Sequence, residues 1–173
     1  DMPEDLKDVV FELGAYMIKL AGINEDLQEN KKMMLDNIKN GRAFEKFKEL
    51  VKNQSGDITY LDDVEKFDKA KFIEPIIAKS EGYIQEINAE DIGKVACGLG
   101  AGRIKKEDNI DYSVGIVLNK KVSDFVLKGD VLGFVYANNM DKLEVAKREL
   151  ESIIKISDKK IEKLPVIFEI IDK

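Results

Sequence analysis

The 173-residue sequence has no histidine, no tryptophan and a single cysteine, Cys97. Without histidine it lacks the side chain that most often serves as a general base near neutral pH, and the commonest nitrogen ligand for metals. One cysteine closes no internal disulfide and, with no histidine to join it, supplies no structural zinc site. A free thiol and no disulfide fit a reducing compartment, so a cytoplasmic location is expected. Cys97 stands among Val95, Ala96 and Leu99, the setting of a small buried apolar residue, and nothing nearby activates it as a nucleophile. Long apolar runs are missing too. No stretch approaches the roughly 20 residues that a membrane span requires, and the acidic opening Asp1-Met2-Pro3-Glu4-Asp5-Leu6 is unlike a secretory signal. A start at Asp1 rather than Met is expected of a piece excised from a longer protein. A basic excess is also missing: 28 Lys and Arg stand against 34 Asp and Glu, a net charge of -6. The lysines alternate with acids as on solvated helix faces, so neither a nucleic-acid nor a membrane partner is expected.

The first third of the chain carries a helical pattern. Leu6, Val9, Val10, Leu13, Met17, Leu20 and Ala21 recur at three- and four-residue spacings and predict one inward helix face. Pro3 suits the first turn, where its missing N–H has no partner to lose, and Gly22 is placed to end the helix. Asn24 is the expected cap of a second helix running to about Lys39, with Leu27, Met34, Leu35 and Ile38 inward. Gly41 is the expected left-handed stop. A third helix follows, with Ala43, Phe44, Phe47, Leu50 and Val51 inward, and closes in Asn53-Gln54-Ser55-Gly56-Asp57.

Beyond a charged connector at 58–71 the pattern turns to strands. Ile73–Ala78 and Tyr83–Ile87 read as a hairpin across Lys79-Ser80-Glu81-Gly82. A short helix opens at Ala89-Glu90-Asp91 and runs to about Gly98, with a glycine loop through Gly102 after it. Strands are expected at Ser113–Leu118, Asp124–Leu127 and Val131–Tyr136, a helix at Asp141–Ile154 and a last strand at Val166–Ile171. The links between strands are too short for parallel crossovers. The whole is an α+β arrangement.

The motifs that tempt a chemical reading each have a plainer one. Gly98-Leu99-Gly100-Ala101-Gly102-Arg103 has the glycine density of an anion loop, but its glycines follow a helix instead of leading one, and no Lys-Ser/Thr pair makes it a P-loop. A structural loop is expected. Arg103, Lys105 and Lys106 are offset by Glu107, Asp108 and Asp111, the pattern of a salt-bridged surface. Nothing singles those three carboxylates out as an acid–base pair. Val122–Leu132 has the turn-strand-turn rhythm of biotinyl and lipoyl carrier domains, yet Lys142, in Tyr136-Ala137-Asn138-Asn139-Met140-Asp141-Lys142, stands where a helix begins and lacks the carrier motif. A stand-alone barrel-sandwich binding module related to those carriers is the alternative reading, and its signature is a mass increase on the intact chain from modification of Lys142 or another lysine.

Several ordered segments together resemble the pyrimidine-nucleoside phosphorylases, the family that includes thymidine phosphorylase. They are Leu13-Gly14-Ala15-Tyr16-Met17, Gly41–Lys48, Gln54-Ser55-Gly56-Asp57, Gly82-Tyr83-Ile84, Asp91-Ile92-Gly93, Leu99–Arg103, Lys106-Glu107-Asp108, Ile110-Asp111 and Val114-Gly115-Ile116. The likeness covers roughly residues 4 to 157 and only the C-terminal portion of that family. Ser55 and Ser123 stand where the family usually has glycine, and Asn119 where it often has histidine. The resemblance implies a transferase that cleaves thymidine or uridine with phosphate to the free base and a pentose 1-phosphate, in pyrimidine salvage. It implies a homodimer when intact, with no cofactor. It also implies a helical segment at 1–57, the end of the large central domain, a connector at 58–71, and at 72–173 an α/β-hammerhead domain containing a barrel-sandwich hybrid. The family's phosphate loop and base-holding residues match no segment here, so no catalytic, cofactor-binding or metal residue is carried over. The missing N-terminal part of the enzyme is the expected partner. The isolated chain is expected to be inactive, and its first helices to show apolar faces left open.

Overall fold

The computed structural model describes residues 2–171. Contacts divide the chain into two units. One holds the residues up to Val64 together with the segment from Leu164 onward; the other is Glu65–Lys163.

The first unit is helical: α1 (Glu4–Leu20), α2 (Leu27–Lys39), α3 (Arg42–Asn53) and the single turn α4 (Thr59–Asp62). Pro3 precedes α1, and Glu4 and Asp5 lie in its first turn, where carboxylates favour the positive end of the helix dipole. Gly22 and Gly41 take left-handed φ values of +68° and +82°, as expected of residues that end helices. The cap of α2 is Asp26 rather than Asn24. The Asp26 carboxylate accepts from Gln28 N at 2.8 Å and Glu29 N at 3.1 Å, while Asn24 Oδ1 accepts from Asp26 N at 3.2 Å. Asn24 thus shapes the turn that delivers the charged cap, and a carboxylate gains more from the dipole than an amide does.

α1 and α2 join through small groups and one buried polar side chain. Phe11 and Ala15 are buried, and Gly14 lies so close to Met34 that a Cβ there would overlap the Met34 methyl. Asn30 is fully buried. Its Nδ2 donates to Ala15 O at 3.1 Å and to Asn24 O at 2.9 Å, so one amide ties α2 to both α1 and the loop between them. Lys31 pairs with Glu12 beside it.

The face of α1 expected inward is the one left open. Leu6, Val10, Leu13, Met17 and Leu20 are exposed, Leu20 by 84%. At about 3.6 residues per turn this stripe lies on the side of α1 opposite Phe11 and Ala15. α2 takes the side where Gly14 and Ala15 allow close approach. On α3, Phe44, Phe47 and Leu50 are likewise exposed. Lys48 lies 4.9 Å from the Phe44 ring centre and 2.6 Å from Asp62. The Asp62 carboxylate, foremost, holds the Lys48 ammonium above its ordinary range.

The second unit contains β1 (Phe72–Ile77), β2 (Gly82–Glu86), α5 (Ala89–Leu99), β3 (Gly115–Leu118), β4 (Phe125–Val126), β5 (Val131–Ala137), α6 (Met140–Ile153) and β6 (Lys155–Ser157). The strands form two three-stranded sheets, ordered β1-β5-β3 and β4-β2-β6, with every pairing antiparallel. β1 and β2 are therefore not a hairpin. The turn at 79–81 carries the chain from one sheet to the other, which lets Ile76 and Ala78 on one side and Ile84 on the other enter the same core. Pro75 has no N–H to give and is tolerated because β1 is an edge strand. Gly133 faces Val117 O so closely that a Cβ would overlap it, so β3 and β5 meet only because residue 133 has no side chain. α5 and α6 add Val95, Leu99, Leu143, Ala146 and Leu150 to the core. Tyr83 and Phe125 pair across β2 and β4 edge to face, ring centres 5.0 Å apart.

The last expected strand, Val166–Ile171, is absent; the segment from Ile161 to Ile171 joins no ladder. From Leu164 onward it belongs to the helical unit. Helices spend their backbone donors and acceptors internally and offer no edge to pair with.

Two predictions follow from these local geometries. Asn30→Ala removes the side-chain hydrogen bonds to Ala15 O and Asn24 O, and is expected to destabilise the helical unit by about 1 kcal/mol, read as a lowered urea midpoint of its helical signal. Ser55 and Ser123 are the non-glycine residues with positive φ among the described residues, at 64° and 77°. The left-handed conformation costs a side chain roughly 1–2 kcal/mol, partly offset by the greater freedom glycine has when unfolded. Ser55→Gly and Ser123→Gly are each expected to stabilise by about 0.5–1 kcal/mol, and a fall in melting temperature for either would contradict the strain.

Candidate functional site

The glycine loop after α5 does the work of ending that helix. Gly100 has φ +119°, and its N–H bonds back to Cys97 O at 3.0 Å while Ala101 N bonds to Ala96 O at 3.0 Å. These bonds satisfy carbonyls that the helix end leaves without partners. Gly98 is still within α5, and no helix begins at this loop, so the dipole geometry of an anion site is not present. Cys97 is half-buried on the last turn.

Just beyond the loop the structure gathers a polar cluster. Asp111 N donates to Gly100 O at 2.9 Å. One Asp111 carboxylate oxygen accepts from Ser113 N at 3.0 Å and Ser113 Oγ at 2.7 Å. The other accepts from Asn138 Nδ2 at 2.7 Å. Asn138 Nδ2 also donates to Ser113 Oγ at 2.8 Å, and Asn138 Oδ1 accepts from Lys71 N at 2.8 Å. Lys142 Nζ lies 3.5 Å from Leu99 O and adds an attractive charge. Four chain segments thus converge: the residue before β1, the α5 terminus, the entry to β3 and the end of β5. The Ser113 hydroxyl above all, then Asn138, the Ser113 N–H and the charge of Lys142, hold the Asp111 carboxyl below its usual 3.8.

This geometry suits a cross-link better than a base. Asp111 stays ionised, and both oxygens are already occupied by donors. The structure does not join it to the other two carboxylates weighed from sequence. Asp108 accepts from Ile104 N at 3.1 Å and Lys105 N at 2.8 Å, closing its own turn, and Glu107 is exposed. Arg103, Lys105 and Lys106 are exposed as well. Lys142 lies in the first turn of α6, its N–H capped by Asn139 Oδ1 at 3.0 Å; it is not at a hairpin tip of the kind carrier domains use. Among the described residues no group of three or more Cys, Asp or Glu is placed to hold a metal ion, and no helix is long and apolar enough to cross a membrane. Sequence reasoning missed Ser113 and Asn138. The signals for them are the Asp-x-Ser spacing, which favours a side chain turning back on its own backbone, and the Asn138-Asn139 pair where a strand meets a helix.

Residues 83–157 match the pyrimidine nucleoside phosphorylase C-terminal domain. The chain is similar in sequence to members of that family as well as to the domain. The pyrimidine-nucleoside phosphorylases of Staphylococcus aureus strains USA300, NCTC 8325 / PS 47 and COL are each 43% identical to it over 156 residues, which is 90% of this chain. The chain spans 36% of the length of those relatives and matches their C-terminal part. The similarity therefore extends beyond the domain into the helices before it. Asp111, Ser113, Asn138 and Lys142 all lie within the matched residues 83–157.

The lowered Asp111 pKa sets the sign of a pH effect. A carboxyl whose folded pKa is depressed stabilises the fold above its unfolded value, about 3.9, and that contribution is lost as pH falls through the folded value. Asp111→Asn turns one acceptor into a donor facing donors. It is expected to lower the urea midpoint of the Glu65–Lys163 unit at pH 7, and to flatten the midpoint's decline below about pH 4. Identical acid slopes in the two proteins would show that Asp111 is not held ionised by the cluster.

Proposed function

We propose that this chain is the C-terminal portion of a pyrimidine-nucleoside phosphorylase whose parent cleaves thymidine or uridine with phosphate. In that reaction a phosphate oxygen bonds to the sugar C1′, the C–N glycosidic bond breaks, and the base leaves with the bonding electrons and takes up a proton. The products are the free base and a pentose 1-phosphate. Such a step gains from holding the two substrates in line and from stabilising the charge on sugar and base. The observation that carries this reading is the 43% identity over 90% of the chain, domain and preceding helices together.

Within the parent, residues 72–173 act as a scaffold. The two three-stranded sheets and helices α5 and α6 form an α/β-hammerhead with a barrel-sandwich hybrid, and residues 1–57 complete the large central domain. The unit supports closure of that domain over substrates held by the preceding part, in a dimeric, cytoplasmic enzyme. Asp111, with its oxygens engaged, keeps the loop after α5 in one shape and takes no part in chemistry.

The test is phosphate-dependent release of thymine from thymidine and of uracil from uridine, with the purified chain and the full-length parent side by side. Turnover by the parent and none by the chain is the expected result. Turnover by the chain alone would place reacting groups among its own carboxylates, lysines or Arg103. An inactive parent would remove the phosphorolysis reading.

A further inference from the structure

Helix α1 is apolar on two opposite sides, and this chain covers one of them. Phe11 and Ala15 face α2 and are buried, whereas Leu6, Val10, Leu13, Met17 and Leu20 recur at spacings of four, three, four and three and are 51%, 38%, 61%, 69% and 84% exposed. Charged Asp8, Glu12 and Lys19 lie in the arc between the two sides. A surface helix needs one apolar stripe; a helix apolar on opposite sides belongs between two layers. The rest of the helical unit cannot supply the second layer. Its buried apolar residues, among those described, are Phe11 and Ala15, far too small a core for a segment of this length to stand as a domain. A contiguous exposed stripe of large apolar side chains marks an interaction surface.

We infer that the Leu6–Leu20 face of α1 is an internal interface of the complete enzyme, covered by the part of the same polypeptide that precedes this chain. The inference rests on the reading of the chain as a C-terminal portion. It commits to that occupant because the curated relatives continue past the matched region for most of their length, the chain spanning 36% of them. The matched 156 residues also reach beyond the C-terminal domain into the helices before it.

The substitution Leu13→Glu with Met17→Glu tests this in two settings. In the 173-residue chain both side chains already face solvent, so the melting curve and helical signal are expected to stay as they are. In the full-length protein the same pair buries two carboxylates against apolar groups, and the melting temperature is expected to fall by about 5 °C or more, with a matching loss of soluble protein. A full-length variant that melts like the wild type overturns the interface. An equal loss of stability in the short chain also overturns it, since the face would then be used within the chain. Sedimentation decides the remaining case: a short-chain dimer that the double substitution dissociates, with the full-length protein unaffected, assigns the face to a second copy and overturns the inference. Nucleoside phosphorolysis by the full-length wild type is measured beside these. Its absence counts against the enzyme reading alone, because the melting comparison does not depend on turnover.

Discussion

Strand β5 is the constraint on which the C-terminal unit depends. It is the middle strand of its sheet, pairing with β1 along one edge and β3 along the other. Leu132, Val135 and Ala137 along it are buried in the core. Its Gly133 allows β3 to approach, since any side chain there would meet the Val117 carbonyl. Past its end, Asn138 takes the hydrogen bonds that fix Asp111, Ser113 and Lys71, and Asn139 caps α6. One strand therefore sets the sheet, the loop after α5 and the start of the last helix. An alteration at residue 133 acts on the contact of β3 with β5, and one at residue 138 acts on the bonds to Asp111, Ser113 and Lys71 together, because neighbours in one network do not respond independently.

The same economy explains the shape of the loop after α5. Closely spaced glycines invite a search for a bound anion, yet here the left-handed Gly100 is needed so that the chain can leave α5 and return its carbonyl to Asp111. The carboxylate that follows accepts hydrogen bonds from Ser113 and Asn138, one at the entry to β3 and the other at the end of β5. A base needs an accessible lone pair and a pKa near its working pH. The hydrogen bonds that hold Asp111 in place also hold its carboxyl below the usual carboxylate range.

Most elements were legible in the sequence because each has a local cause. Helices at Glu4–Leu20, Leu27–Lys39, Arg42–Asn53, Ala89–Leu99 and Met140–Ile153 follow from apolar spacing and from caps that need no distant partner. The misplaced features depend on partners. Tyr83–Ile87 has strand composition, but composition does not say that its neighbours are β4 and β6 rather than β1. Val166–Ile171 has the apolar, β-branched composition of a strand, but among the described residues no sheet edge in its own unit receives it. The polar cluster was legible only as separate residues, since Asp111 and Asn138 are 27 positions apart. The two serines that replace the family's usual glycines were legible as oddities, and they are the residues that take left-handed backbone without being glycine.

The disagreement over α1 carries the most functional weight. Hydrophobic periodicity reports the side of a helix that some core will bury, and it is indifferent to whether that core lies in the same segment. On α1 the larger stripe, from Leu6 to Leu20, pointed to a core that α2 does not provide, while the side with Gly14 and Ala15 received the contact that was sterically easiest. The second unit shows the contrast. There Leu143, Ala146, Leu150 and Ile154, of the residues expected inward on the last helix, are buried, and Ile153, also expected inward, is partly buried against the same core, because the strands they pack on are present in the chain. Where a periodic pattern and the observed burial agree, the folding unit is locally complete; where a strong pattern is left facing solvent, the unit was selected in the presence of something else. By that criterion Glu65–Lys163 carries its own core, and the helices before it are one layer of a larger body.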